Sequence, residues 1–136
     1  MIGPAIRAIL LAHPDVSSMV GDRVYPEMAP QGSDMPAVTY RIRREPTSHQ
    51  QGLQGFDRFD LEIDCWSRGR PGVAAYDEAQ AVADAVVGAL SGYRGISQGV
   101  ALHSVIAESS YDDGFDDETG LHQVGVDVSI WAQRAQ

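Results

Sequence analysis

The sequence predicts an α+β domain, a four-stranded, mainly antiparallel sheet with a long helix and an N-terminal helix packed on it. Two patterns carry that expectation. Several segments alternate apolar and polar residues with period two, as half-buried strands do, and Val73 to Leu90 places apolar residues at helical spacing. The clearest alternation is Phe56 to Trp66. Phe59, Leu61, Ile63 and Cys65 fall on one side of an extended chain there, with Arg58, Asp60, Glu62 and Asp64 on the other. A helix over the same stretch would scatter carboxylates through its apolar stripe.

Taken in order, Pro4 fits the first turn of a helix whose apolar stripe is Ile2, Ile6, Ile9 and Leu10. It ends near His13-Pro14, because the residue before a proline resists helix. Asp15 or Ser17 caps a short second turn that stops at Gly21. Val24-Tyr25-Pro26 is a brief extended piece, and Glu27 to Asp34 is a loop rich in turn residues. Ala37 to Arg43 is the first strand, with Val38, Tyr40 and Ile42 facing together. Arg44 to Gly55 is polar, too long for a tight turn, and reads as a projecting loop. The central strand follows, then the turn S-R-G-R-P-G. The helix over 73–90 buries Ala75, Ala79, Val82, Val86 and Leu90, and Ser91-Gly92 ends it. Val100 to Ser109 is the third strand, Tyr111 to Gly120 an acidic turn, and His122 to Trp131 the last strand. Short links after the third strand favour antiparallel neighbours, with the long helix over one sheet face.

A chain of 136 residues without a dividing linker or internal repeat is expected to form one domain over 1–136. Its 43% hydrophobic and 21% charged residues are ordinary for a globular protein. No apolar run approaches the roughly 18 residues that span a bilayer, so no membrane partner is expected. The opening M-I-G-P-A-I-R-A-I-L-L-A lacks a basic start and reads as an amphipathic helix rather than a signal peptide. The single cysteine, Cys65, excludes an internal disulfide; on the apolar strand face it reads as a small buried hydrophobe rather than a reactive thiol. The net charge is −9 and uneven: seven arginines oppose nine acids in residues 1–68, but only three oppose ten in residues 69–136. Such a surface repels nucleic-acid phosphates. All ten basic residues are arginine. A GC-rich genome accounts for that usage, and arginine also suits bidentate pairing with carboxylates across an interface.

The motifs of common chemistries are missing. Neither G-x-x-x-x-G-K nor a clean G-x-G-x-x-G occurs, nor a G-x-S-x-G elbow. His13, His49, His103 and His122 lie far apart, and none has a ligand three or four residues on along a helix. The acidic turn Asp112 to Gly120 holds five carboxylates and is the best calcium candidate, but it lacks the D-x-D-x-D-G register; a solvated turn is the commoner outcome. Asp60, Glu62 and Asp64 share one strand face. A paired-carboxylate catalyst would hold one of them in an apolar pocket, and here they alternate with nothing apolar on that face. No catalytic residue, metal or cofactor is therefore expected. Arg41, Arg43 and Arg44 pair with neighbouring acids or touch phosphate. Trp66 and Trp131 each end a strand on its polar side, where a large aromatic marks a contact surface or closes the core's edge.

Several pieces, in order, carry a resemblance. They are P-D-V-S-S-M-V-G-D-R-V-Y-P (Pro14 to Pro26), M-P-A-V-T-Y (Met35 to Tyr40), G-F-D-R (Gly55 to Arg58) and D-C-W (Asp64 to Trp66). An alanine-rich helix follows, then Y-D-D and E-T-G-L-H-Q-V-G-V-D-V-S-I-W (Glu118 to Trp131). The set resembles the tail-completion, or tail-terminator, proteins of long-tailed bacteriophages over nearly the whole chain. His13-Pro14-Asp15 and the lengthened 44–55 loop depart from the pattern. The resemblance implies a structural protein without a catalytic site, assembled in the host cytoplasm and placed at the neck end of the virion tail. Such proteins form rings, usually hexameric, that end tail-tube growth and join the tail to the head. Partners would be further copies, the tail-tube protein and head–tail connector proteins, with DNA passing through the lumen without specific binding.

Onto that picture the residues map as follows. Arg41, Arg43, Arg44, Trp66 and Trp131 are subunit-interface candidates, since a closed ring joins one patch to a different patch on the next copy. Asp60, Glu62 and Asp64 on the strand face, or Asp112, Asp113, Asp116 and Asp117 in the acidic turn, are lumen-lining candidates. The strand face is preferred, because a rigid sheet fixes an aperture better than a mobile turn. The 44–55 loop would be an arm toward a neighbouring ring or subunit. Another neck or head-closure component, or an intracellular protein-interaction domain without catalysis, are the alternatives.

Overall fold

A computed structural model describes residues 2–45 and 57–134, and the side chains of all of these except 110–113 and 134. In chain order the elements are α1 (Ile2–Ala12), α2 (Pro14–Val20), β1 (Val24–Pro26), β2 (Ala37–Arg44), β3 (Asp57–Ser67), α3 (Ala75–Leu90), β4 (Gly95–Ser97), β5 (Val100–Asp116) and β6 (Leu121–Arg134). The strands form one sheet in the order β1-β2-β3-β6-β5-β4. Every neighbouring pair is antiparallel except β1 and β2.

The α+β class holds, but among the described residues the sheet has six strands rather than four. The two additional strands, β1 and β4, are three residues each and lie at the two edges. Three residues are too few for a period of two to register, so only pairing with a longer neighbour defines them. A second correction concerns the stretch Tyr111 to Gly120. Most of it is strand: β5 continues to Asp116, and the turn is confined to residues 117–120. The register of β5 against β6 shifts between Ser109 and Tyr111 and again between Asp112 and Gly114. Each such bulge adds a residue on one strand and breaks the alternation, so extended chain reads like a turn. The second short helix also begins earlier than expected. Pro14 opens it, after His13 in an extended conformation that makes no side-chain cap; the fixed φ of proline suits the first helical position.

The core lies between one sheet face and the helices. Phe59, Leu61, Ile63 and Cys65 of β3 stand opposite Ile130, Val128, Val126 and Val124 of β6, and all eight are buried. Ala79, Val82, Ala83, Val86 and Leu90 of α3 are buried in the same cluster, joined by Ile2, Ile6 and Leu10 of α1. Burial, then the charges of Asp64 and Asp84, push the Cys65 thiol well above its ordinary pKa. The folded state therefore favours the neutral thiol. Its contribution to stability is complete below the unfolded thiol's value, about 8.5, and is lost as pH rises above it. Cys65 is expected to resist a thiol reagent in the native protein at pH 8 and to react stoichiometrically in denaturant; a colorimetric thiol titration checks this.

The link from β3 to α3 is held by a carboxylate that no sequence pattern announced. Glu78 is buried in the first turns of α3. Ser67 Oγ donates to its Oε1 at 2.7 Å, and the Gly69 N–H donates to Ser67 Oγ at 2.9 Å. Arg70 Nη2 lies 2.8 Å from Oε2 as its counter-charge. Gly69 sits at φ +74, and a Cβ there would lie 2.8 Å from the Ala75 nitrogen and 2.9 Å from the Val73 carbonyl oxygen. Only glycine satisfies both the backbone conformation and the space.

Candidate interaction face

Among the described residues no helix packs on the second face of the sheet. Arg41, Arg43, Arg58, Ile106, Glu108, Asp127 and Trp131 are all exposed on it. Strand register aligns one row across four strands, Arg41 beside Glu62, Asp127 and Glu108 in turn. The Glu62 side chain is only 9% exposed, beneath two arginines that are 52% and 55% exposed. Its Oε1 accepts from Arg43 Nη1 at 2.6 Å and from Arg41 Nη2 at 3.3 Å. A second cluster lies along the face. Asp60 Oδ1 accepts from Arg58 Nε at 3.1 Å and Ser129 Oγ at 3.2 Å, with Arg44 4.0 Å from its other oxygen.

Arginines and acids that the sequence suggests as two separate patches thus meet on one. Arg41 and Arg43 neutralise Glu62, and Arg44 and Arg58 attend Asp60. The strand face is therefore not a surface of bare carboxylates. Asp64, half-buried, stands opposite Thr39 and Gly125. Among the described residues, Glu108 and Asp127 stay exposed on the same face without an arginine of their own, and Asp116, Asp117 and Glu118 are exposed at the tip of the β5–β6 hairpin. The side chains of Asp112 and Asp113 lie outside the described residues, as do residues 46–55 of the expected loop arm.

The two tryptophans separate in role. Trp66 is half-buried, its Nε1 donating to Thr39 Oγ1 at 3.0 Å. It lines a cleft of about 390 Å³ together with Met28, Met35, Arg68, Asp116 and Leu121, between the 27–35 loop and the hairpin tip. Trp131 is 46% exposed, diagonal across the sheet from Ile106, itself 56% exposed. That apolar pair stands at the Asp60 end of the face, and the alternation of β6 pointed to Trp131 alone. Among the described residues no three metal-ligating side chains gather into a site. Among the same residues no helix is long and apolar enough to cross a membrane.

Comparison with known proteins gives the family of the chain. The family of tail completion protein gp17 matches residues 4–133. The chain belongs to that family. It is a structural protein of the bacteriophage tail. The fold is also similar to a chain in the virion of a native gene transfer agent particle, with 18% identity and a TM-score of 0.66. That likeness covers 94% of this chain and 91% of the other; at such identity it is a likeness of fold. No curated protein matches the sequence. For a tail completion protein the useful surfaces are those that meet other virion components. The open sheet face, with its paired charges and its Trp131–Ile106 patch, has the composition of such a surface: a small apolar centre beside arginines and acids.

Proposed function

We propose that this tail completion protein forms a ring at the neck end of the virion tail, where it ends tail-tube growth and joins the tail to the head. The match of the family across residues 4–133 carries this reading. The distribution of charge supports it. Ring closure joins two different patches, and Arg41, Arg43 and Arg44 keep most of their donors unused after pairing with Glu62 and Asp60. Those donors are available to carboxylates of the next copy, with Trp131 and Ile106 as the apolar element of the contact.

The same geometry revises which acids line the lumen. DNA passes freely through a channel that repels phosphate and offers no counterion-release gain. Asp60 and Glu62 carry their own arginines, so the hairpin tip, with Asp116, Asp117 and Glu118, is the better lining. The solution mass of the purified protein, with electron microscopy of the same sample, tests the ring. A multiple of the 14.7 kDa chain mass and annular particles are expected. Arg41→Glu combined with Arg43→Glu is expected to shift that mass toward the monomer while the thermal transition stays cooperative, at a lower midpoint because Glu62 loses both its partners. An unchanged assembly after both reversals removes these arginines from the interface.

A further inference from the structure

The two edges of the sheet are finished differently. β4 pairs with β5 only at Val100 to Leu102. Beyond that, among the described residues no strand lies on the outer side of β5, which continues to Asp116. A long unpaired edge is a template for another strand. Bulges between Leu102 and Ser104, and between Ser109 and Tyr111, interrupt the pairing of β5 with β6. They leave Ser104 to Ser109 as one regular window. Within it the Gly92 N–H donates to the Val105 carbonyl at 2.9 Å, so the polar backbone groups of Val105 point away from β6. In a regular antiparallel strand every second residue does the same. The N–H and C=O of Ala107 and Ser109 therefore face outward, and no described backbone group pairs with them there.

We propose that the Ile106–Ser109 edge of β5 receives an extended, basic segment of another virion protein as an added strand. This deepens the reading of the chain as a tail-joining protein, on which the choice of a virion partner rests. Backbone pairing supplies affinity in strand addition, and alternate side chains supply specificity. A residue opposite Glu108 shares the open face with Glu108 and Asp127, one row of acid whose nearest arginines are held by Glu62. A residue two positions along lies opposite Ile106, whose diagonal neighbour on the far side is Trp131. The residue between them lies opposite Ala107, on the helix side. The edge thus selects the order apolar, small, basic. Residues 108–118 hold six acids and no arginine or lysine, which extends the preference for a basic segment.

A second copy fits this edge less well. Its basic strand end is Arg41 to Arg44, but β1 already occupies the neighbouring position at Val38 to Tyr40. The Val38 N–H and the Tyr40 carbonyl point toward β1, bonded to Arg23 and Glu27. Ile42 is therefore the next outward residue, and the register shifts immediately after it. One residue of pairing remains on that side, against two on β5.

The test uses the purified full chain and a dye-labelled, end-blocked octapeptide with valine and arginine alternating on one face and serine on the other. Fluorescence anisotropy measures binding, and hydrogen exchange reads individual amides. Saturable binding is expected, at least tenfold weaker for Glu108→Lys and for a peptide with glutamate in place of arginine. It should be lost when the peptide's pairing amides are N-methylated. Binding should also slow exchange at Ala107 and Ser109. An N-methylated peptide that binds equally well, or unchanged exchange at those two amides, overturns the strand addition. Peptide that dissociates a preformed oligomer assigns the edge to a second copy and overturns the choice of partner. Solution mass is recorded on the same samples. A ring that ignores the peptide refutes this edge alone, whereas a monomer that binds it refutes the ring alone.

Discussion

Ile63→Asp abolishes folding. Ile63 is fully buried in the middle of β3, opposite Tyr40 on one side and Val126 on the other. Losing its burial costs about 2–3 kcal/mol, and an unpaired carboxylate in its place costs several more. Domains of this kind hold roughly 5–15 kcal/mol in total, so the variant is expected to be largely unfolded at 25 °C. Circular dichroism and a thermal scan measure this. A soluble Ile63→Asp protein with a cooperative transition would mean that β3 presents its other face to the helices, since a one-residue slip exchanges the two faces.

Glu62→Lys is expected to have the next largest effect. The native carboxylate is hidden beneath Arg41 and Arg43, and the replacement removes both attractions and sets a third cation among them. Removing one partner of a buried ion pair costs about 3–5 kcal/mol. Both guanidiniums are half exposed, so solvent screening brings the expected loss down to about 2–3 kcal/mol. Glu62→Gln, which keeps an acceptor and adds no charge, is expected to lose about 1 kcal/mol. Urea denaturation of the pair separates charge from hydrogen bonding. Equal midpoints for the two variants would show that the arginines do not depend on the Glu62 charge.

These two predictions differ in how far the sequence alone leads to them. The buried face of β3 was legible because four successive polar–apolar pairs leave no other reading of Phe59, Leu61, Ile63 and Cys65. The helix over 73–90 and the strand over 122–131 were legible for the same reason, each long enough for its period to show. Period says nothing about neighbours, however. Arg41 and Glu62 are separated by the whole 44–55 stretch, and only the β2–β3 register brings them together. Hence the arginines proposed for the interface and the strand-face carboxylates expected in the lumen read as two patches in sequence and are one in space. The hairpin failed differently: bulges near Ser109 and Asp112 shift the alternation twice, hiding a strand inside an acidic run. Glu78 gave no signal, because an acid near a helix start ordinarily faces water and stabilises the helix dipole.

The proposed role at the end of the tail is tested most directly by the particles themselves. Particles are assembled in the host with and without the gene for this chain, and electron micrographs are scored for tail length and for heads joined to tails. Without the gene, heads and tails are expected to lie apart, the tails of uncontrolled length, with joining restored when the gene is supplied in trans. Joined particles with tails of normal length and normal number, made without the protein, would contradict the proposed role.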